Sequence, residues 1–160
     1  PADPDAAEKF DLNAGAMPHQ LTEYAASDPA ASGFDFRLIS RRSKHRYNSN
    51  GHPFPKLVEK MPTNPAYIHP EEMARRGIAD GAIIEISSPT ASIFGMARAD
   101  EKVRPGVISM SHAFGDSEAG KDDVMTKGGS TNRLIVDDAH IDPITGQAVQ
   151  SAIPVRIAAA

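Results

Sequence analysis

The residues with the clearest chemical potential form a basic run after the first apolar stretch of the chain. Residues 41–46 (RRSKHR) carry four permanent positive charges, and residues 48–50 (NSN) add amide and hydroxyl groups. An arginine guanidinium offers a fork of donors to a phosphate, while amides and hydroxyls supply neutral hydrogen bonds. The run is therefore typical of an anion-binding site, and equally of a basic loop whose charges are hydrated at the surface.

Two further polar positions lie at the ends of apolar stretches. Residues 128–132 (GGSTN) resemble a phosphate-binding loop only loosely, and a flexible turn is the simpler interpretation. Asn132 precedes a predicted strand, where its amide can hydrogen-bond the edge of a ligand ring. His112 follows another apolar stretch, either as a packed residue at a strand end or as a polar group that faces a ligand. The residues alone do not decide between these two roles.

The other candidates for metal binding and catalysis are weak. The six histidines are at positions 19, 45, 52, 69, 112 and 140. None pairs with another at i,i+3 or i,i+4, and the chain has no cysteine, so a metal site made by side chains is not expected. Asp137, Asp138 and Asp142 suit a hard cation, but their turn-forming neighbours favour bonds to the local backbone. No motif brings together a nucleophile, a base and an orienting group, so we expect a binding module without catalytic residues.

The composition is that of an ordinary acidic protein. With 160 residues, 40% hydrophobic and 24% charged, the chain suits one domain with a buried core. A net charge of −4 and a pI near 5.8 predict no general attraction to nucleic acid or acidic membranes. No transmembrane run or secretory signal is evident, so a soluble domain is expected, in a compartment that the missing cysteines leave open. Pro1 fits either a removed initiator methionine or a piece of a longer chain.

The amino-acid composition of the chain changes near residue 34. Residues 1–33 are rich in Ala, Pro and Asp, which predicts an N-terminal arm or linker with a helical turn at residues 21–26. Residues 34–160 form the expected domain. Its best-defined part, residues 68–88 (IHPEEMARRGIADGAIIEISS), predicts a helix, a tight turn and a strand. In this part His69 is the expected N-cap, and Gly77 is the expected left-handed residue after the helix.

Short apolar stretches between Gly and Pro residues predict the strands. The candidates are residues 36–39, 82–88, 91–99, 107–110 and 148–157, of which the second and third form a hairpin. Gly95 suggests a bulge or a close backbone approach, and Pro154 suggests that the last strand is an edge or a bulged strand. A helical turn is expected at residues 56–61 and a mobile loop at residues 116–129. This pattern predicts a mainly β barrel or sandwich with small helices.

An ordered series of motifs resembles the C-terminal dinucleotide-binding domain of molybdopterin oxidoreductases, the dimethyl-sulfoxide-reductase superfamily. The series is LISRRSKHRYNSN, IHPEEMARRGIADGAIIEISS, PGVISMSHAFG, GGSTNRL and DPITGQ, within residues 36–157. Each motif alone is weak, but their order and spacing together are specific. The resemblance implies a mainly β fold, a double-psi β-barrel with a few short helices, which grips the bis(molybdopterin guanine dinucleotide) cofactor.

The resemblance also implies which side chains contact the cofactor. In relatives, the loop after the first strand and the Asn-bearing loop reach the pterin and nucleotide portions. The positions that match best are Arg42, Asn48, Ser49, Asn50 and Asn132. Further expected contacts are Arg41, Ser43, His45, Tyr47, His112 and Gln147. The cofactor holds the molybdenum or tungsten, and the family's metal-ligating residue lies in other domains, so the expected partners are the remaining domains or subunits of a larger oxidoreductase.

Two other functions are alternatives to this one. A stand-alone double-psi barrel could act as a protein-interaction module without a cofactor. Nucleic-acid binding through residues 41–46 is disfavoured, because the net charge is −4 and Tyr47 is the only aromatic residue beside the basic run.

Overall fold

Six short strands close into one barrel in the computed structural model, which describes residues 16–26, 32–115, 120–136, 141–142 and 145–160. The strands are β1 (Phe36–Ser40), β2 (Ala66–Ile68), β3 (Ile83–Ser87), β4 (Ser92–Ala99), β5 (Val107–Met110) and β6 (Ile153–Ala159). Their order around the barrel is β1-β5-β2-β4-β3-β6, and β6 pairs with β1 to close it. Closure is one of the ways in which a β fold removes exposed strand edges.

Two of the strand pairs are parallel, β1 with β5 and β2 with β4, and the other pairs are antiparallel. A six-stranded closed barrel with two such parallel pairs is the double-psi arrangement, so the predicted mainly β barrel is confirmed.

The helices of the described residues are short. They are α1 (Ala16–Ala26), α2 (Pro55–Lys60), α3 (Pro70–Arg75) and α4 (Val124–Lys127), with 3-10 turns at Asn48–Gly51, Lys121–Asp123 and Thr131–Leu134. None of them has the length and apolarity needed to traverse a bilayer.

The segment from α3 to β3 has the predicted local structure. His69 is the N-cap of α3, and its ring accepts a hydrogen bond of 3.3 Å from the N–H of Glu71. Pro70 takes the first helical position, where the missing N–H costs nothing. Gly77 follows the helix with φ of +65°, a conformation that glycine adopts without a steric penalty. Each boundary is therefore determined by a residue within the segment.

A group of charges ties α3 to the start of β1. The carboxylate of Glu72 is buried and pairs with both Arg75 and Arg76. Arg76 also pairs with Asp35 and lies over the ring of Phe36, with its guanidinium carbon 4.5 Å from the ring centroid. Glu72 therefore links α3 to β1 through Arg76, and its place in the first turn also suits the helix dipole.

The barrel interior is filled by alternate residues of each strand. In β3, Ile84 and Ile86 are fully buried, whereas Ile83 and Glu85 are half-buried, as the sequence alternation predicts. Burying such a side chain stabilises the fold by about 1.5–3 kcal/mol. Gly95 of β4 pairs with Ile84, and a β-carbon at Gly95 would lie 3.1 Å from Cδ1 of Ile86. The expected close approach at Gly95 is confirmed, because its missing side chain leaves room for the core.

The last strand differs from its prediction in two respects. It begins at Ile153, five residues later than expected, because Ala152 has φ of +57° and interrupts the extended run. It is also not an edge strand, since it pairs with both β1 and β3. Pro154 lies in the stretch that pairs with β1 alone, beyond the last β3 pair of Ser87 with Arg156. The residue without an N–H therefore lies where β6 has a single neighbour.

The segments after β5 contain more helix than predicted. Residues 121–127 form a 3-10 turn and α4 instead of a loop, while residues 116–119 lie outside the described residues. Asn132 does not precede a strand but lies in the 3-10 turn Thr131–Leu134, which buries Leu134 in the core. The strand expected after Asn132 is wrong, because the short apolar run of residues 134–136 belongs to the end of a tight turn and the segment that follows it.

Of the three aspartates considered as ligands of a hard cation, Asp142 forms hydrogen bonds within its own turn. Its Oδ1 accepts from the N–H of Thr145 at 2.8 Å and from the Thr145 hydroxyl at 3.1 Å. Asp137 and Asp138 lie outside the described residues, as does His140. The helical turn predicted within the N-terminal arm is part of the longer α1, and residues 1–15 are likewise outside the described residues.

Candidate functional site

Two segments that carry predicted site residues leave the same end of the barrel. Because β1 and β5 are parallel neighbours, with Ser40 opposite Met110, the segments that follow them emerge side by side. The N–H of Arg41 continues the ladder by donating to the carbonyl of Met110 at 3.0 Å. We call residues 41–54 the first loop, residues 111–115 the His112 segment and residues 128–134 the Asn132 loop.

Asn64 joins the His112 segment to the Asn132 loop. Its side chain is 1% exposed, and its Nδ2 donates to the carbonyls of Ser111 at 2.6 Å and Gly129 at 2.9 Å. Its Oδ1 accepts from the N–H of Gly129 at 2.8 Å. One buried amide therefore satisfies three backbone groups in two segments, which aligns them with each other. In the sequence, the Asn64-Pro65 pair indicates only a turn or an extended dipeptide, and no local signal indicates this role.

Two glycines allow the Asn132 loop to pass close to the barrel. A β-carbon on Gly129 would collide with the carbonyl oxygen of Phe94, and one on Gly128 would collide with Oδ1 of Asn64. Gly128 also has φ of +74°, which favours glycine. The GG pair, which the sequence predicts to be a flexible turn, is closely packed, with Gly129 against the backbone of Phe94 and Gly128 against the side chains of Asn64 and Phe114.

A hydrogen-bond network connects the first loop to His112. Oδ1 of Asn48 accepts from Nη1 of Arg42 at 2.9 Å, and Nε2 of His112 lies 2.8 Å from the same oxygen. The other ring nitrogen of His112, Nδ1, lies 3.0 Å from Oγ of Ser40. Asn48 has φ of +50°, a region that asparagine occupies more readily than most residues. The network holds one cation and one amide at the mouth of the barrel.

A first cavity of about 400 Å³ opens beside this network. Its polar lining comes from Ser40, Arg42, His112, Thr131, Asn132, Gln150 and Ser151, and its apolar lining includes Leu38, Met110 and Ile153. Apolar walls with a few convergent polar groups are the usual form of a ligand site. The cavity is therefore the candidate binding site.

A second cavity of about 580 Å³ lies on the other side of Arg42. Its charged lining residues are Arg41, Arg42, Lys44, Lys60 and Arg98, and no carboxylate from the described part of the chain lines it. Ser43 and His45 also line it. Cations that converge on a concave surface create a positive potential that attracts anions.

Arg41 is held by groups of the barrel. Its Nη1 donates to Oδ2 of Asp100 at 2.9 Å, and its guanidinium carbon lies 3.8 Å from the centroid of the Tyr67 ring. The N–H of Lys102 and the Arg41 guanidinium hold the pKa of the Asp100 carboxyl below its usual range. Arg41 is thus a fixed cation, part of whose charge is balanced by Asp100.

Arg46 is a buried cation, and part of its hydrogen-bonding capacity is unused within the described residues. Its side chain is 7% exposed, its Nη2 donates to the carbonyl of Met61 at 2.7 Å, and its guanidinium lies 5.0 Å from the Phe114 ring centroid. Within the described residues, its Nε and Nη1 have no hydrogen-bond partner. Burial lowers the pKa of Arg46. Together with Arg42 and Asn48, it lines a small polar recess between the two cavities. Buried donors of this kind cost free energy unless an acceptor reaches them.

The structure brings together most of the predicted contacts. Arg42, Asn48, His112 and Asn132 lie at or beside the first cavity, and Arg41, Ser43 and His45 line the second. Tyr47, Ser49, Asn50 and Gln147 are exposed and line neither of these cavities. Contact of those four residues with a ligand stays a prediction.

Sequence reasoning missed several lining residues. They are Ser40, Arg46, Thr131, Gln150 and Ser151. Arg46 belongs to the basic run and Thr131 adjoins Asn132, so both had a usable signal. Ser40, Gln150 and Ser151 had none, because they reach the cavity only through the pairing of β1 with β5 and β6.

Comparisons with known proteins identify the family and the fold of the chain. A family model described as "Molydopterin dinucleotide binding domain" matches residues 36–153. Acetylene hydratase from Pelobacter acetylenicus has a similar fold, with a TM-score of 0.69 at 18% sequence identity. The similarity covers 82% of this chain and 19% of that chain. No curated protein matches the sequence. Because the matched residues run from β1 to the start of β6 and include both site loops, the chain belongs to the molydopterin dinucleotide-binding domain family.

Proposed function

We propose that this chain is the C-terminal domain of a larger molybdenum or tungsten oxidoreductase, in which it grips the bis(molybdopterin guanine dinucleotide) cofactor. The observation that carries the proposal is the convergence of Arg42, His112 and Asn132 on the first cavity, with Asn48 hydrogen-bonded to the first two. These residues come from three segments that are distant in sequence but meet at one end of the barrel. A dinucleotide has both ring edges and phosphates, and the cavity offers amides for the first and a guanidinium for the second.

The charges and donors at the site fit an anionic ligand. A pyrophosphate accepts hydrogen bonds and carries negative charge, and arginine provides forked donors for it. Arg42 lies between two cavities, and the buried Arg46 has nitrogens without a partner among the described residues. An oxygen of the ligand near this recess would offset the cost of burying them. The first loop is therefore an anion site in this proposal, rather than a hydrated basic loop.

In this proposal the cofactor and the protein have different roles. When bound, the cofactor supplies the oxygen-atom or electron transfer chemistry, and the protein binds and orients it. No group of three or more His, Asp or Glu residues in the described part of the chain is placed to hold a metal ion. Arg42, Asn48 and Asn132 would bind the dinucleotide, while Asn64 aligns the loops that carry His112 and Asn132.

The remaining domains of the parent protein are the proposed partners. The chain spans 19% of the length of the structure to which it is similar. Tyr47 and Phe54 of the first loop are 72% and 58% exposed, so they offer apolar surface beside the site. Such side chains would pack against neighbouring domains that close over the cofactor.

The proposal predicts that Arg42→Ala combined with Asn132→Ala weakens cofactor retention without unfolding the domain. Both side chains are exposed and line the cavity, so their removal takes away ligand contacts and little packing. We would purify the full-length parent protein and measure molybdenum, tungsten and released GMP per polypeptide. At least a tenfold faster loss of cofactor is expected if about two hydrogen bonds are removed.

Arg104→Ala is the matched control. Arg104 is an exposed arginine in the turn before β5, at the opposite end of that strand from the site. Its replacement should leave cofactor content unchanged. Equal cofactor content in the double variant and in this control would show that the two loop residues do not hold the cofactor.

A further inference from the structure

The hydrogen bonds around Asn48 determine which nitrogen of His112 carries the proton. A guanidinium can only donate, so the Asn48 atom that faces Arg42 Nη1 at 2.9 Å must be the amide oxygen. The same oxygen lies 2.8 Å from Nε2 of His112. An amide oxygen can only accept, so Nε2 must donate. Arg42 thus fixes which way the Asn48 amide faces.

The second ring nitrogen has a complementary partner. Oγ of Ser40 lies 3.0 Å from Nδ1 of His112, and a hydroxyl can either donate or accept. In a neutral ring with the proton on Nε2, Nδ1 accepts and Ser40 donates. Ser40 is the last residue of β1, and its register opposite Met110 places it next to the His112 segment. The rigid sheet therefore orients the ring.

We propose that His112 is a positioning residue whose neutral ring Asn48 and Ser40 hold as the Nε2–H tautomer, and that it orients the Asn48 amide and, through it, the Arg42 guanidinium toward the cofactor. This inference rests on the proposed function and adds a mechanism to it. Asn48 is in a left-handed conformation with φ of +50°, which non-glycine residues adopt at a cost. Two donors on its oxygen stabilise that conformation and leave the Nδ2 hydrogens for an acceptor on the ligand.

The tautomer can be measured on the 160-residue chain. We would label histidine with ¹⁵N and record the ring nitrogen shifts of His112, assigned by comparison with His112→Gln. We expect a protonated, pyrrole-type Nε2 and an unprotonated, pyridine-type Nδ1. In Ser40→Ala the Nδ1 resonance should shift, because its donor is lost. A protonated Nδ1 with an unprotonated Nε2, or a ring that averages both tautomers in the wild type, would overturn the inference.

A pair of substitutions tests whether the orientation matters for the ligand. Glutamine can place its amide nitrogen near the position of Nε2, whereas asparagine is shorter and reaches only the position of Nδ1. His112→Gln should therefore keep the donor to Asn48, and His112→Asn should lose it. In the full-length protein, GMP release after acid treatment gives the cofactor remaining over time. We expect loss within threefold of wild type for His112→Gln and about tenfold faster for His112→Asn.

The outcomes separate this inference from the proposed function. Equal retention by the two variants in a protein that holds the cofactor would overturn the positioning role and leave the proposed function standing. A full-length wild-type protein that contains no cofactor would overturn both. His69→Gln is the control, since His69 caps α3 away from the cavity, and thermal unfolding of every variant checks that the barrel remains folded.

Discussion

At the scale of single residues, the most informative side chain is the buried guanidinium of Arg46. It packs against Phe114 in the way that Arg76 packs against Phe36, with ring centroids 5.0 Å and 4.5 Å from the guanidinium carbons. Arg76 is also paired with two carboxylates, whereas Arg46 has, within the described residues, one carbonyl as its hydrogen-bond partner. The charge of Arg76 is therefore balanced within the domain, whereas the charge of Arg46 suits an anion from outside it.

We predict that Arg46→Met leaves the free energy of unfolding of the cofactor-free chain within about 1 kcal/mol of wild type or raises it. Methionine keeps an apolar stem over the ring and removes a cation whose burial is poorly compensated. In the full-length protein the same change should reduce cofactor content. Urea unfolding of the chain and GMP release from the full-length protein are the measurements.

Arg76→Met is the matched variant, and it should lower the free energy of unfolding by about 2 kcal/mol because it leaves Asp35 and Glu72 short of a partner. If Arg46→Met proved the more destabilising of the two, Arg46 would be a structural residue and the anion argument would lose its support.

At the scale of elements, the site depends on how three loops are held against one barrel end. The first loop and the His112 segment are aligned by the parallel pairing of β1 with β5. The Asn132 loop is aligned with the His112 segment by the single side chain of Asn64. A change at Asn64 should therefore affect both the stability of the fold and the geometry of the cavity.

We predict that Asn64→Asp lowers the free energy of unfolding by about 3 kcal/mol at neutral pH. The shapes of the two side chains are nearly equal, but a carboxylate cannot donate to the carbonyls of Ser111 and Gly129, and it would be buried as an unpaired charge. Denaturant unfolding measures the effect. Asn50→Asp, at an exposed position of the first loop, should change stability by less than about 0.5 kcal/mol. Similar effects from the two substitutions would rule out the proposed bridging role.

At the scale of the whole molecule, two aspartates link distant parts of the barrel through charge. Asp80 accepts from the N–H of Ala99 at 2.8 Å and from Arg98 at 3.1 Å, and Asp100 accepts from Arg41 at 2.9 Å. The backbone N–H groups of Ala99 and Lys102, and after them the two arginines, lower the pKa of these carboxyls from its usual value. A lowered pKa in the folded state means that the ionised form stabilises the fold.

Acid is therefore expected to lower the free energy of unfolding. Near pH 4 and below, the unfolded chain binds these protons before the folded chain does, so stability falls as the pH is lowered. We predict that the double variant Asp80→Asn, Asp100→Asn is less stable than wild type at pH 6, and that the difference shrinks as the pH falls from about 4 to 3. Urea unfolding at pH 6, 4 and 3 checks this. Asp122→Asn, at an exposed position, is the control, and a difference that stays constant across the pH range would contradict the assignment.

The sequence by itself determined the local elements and the family. His69, Pro70 and Gly77 specify the ends of α3 because each acts on backbone groups within a few residues of itself. The alternation around Ile84 and Ile86 predicts β3 for the same reason. The order of the loop motifs was also sufficient for the family resemblance, which the family model bears out over residues 36–153.

Only the tertiary structure decided which residues meet at the site. Asn48 and His112 are 64 positions apart, Ser40 and His112 are 72 apart, and Asn64 bonds to residues 47 and 65 positions away. Such pairs leave no periodic or capping signal in the chain, because they depend on strand order and register around a closed barrel. Ala152 illustrates the same limit, since its left-handed conformation ends an extended run that the residue pattern predicts to continue. The sequence therefore indicated which types of residue form the site. Their geometry arises from the pairing of β1 with β5 and from the contacts that hold the loops against the barrel.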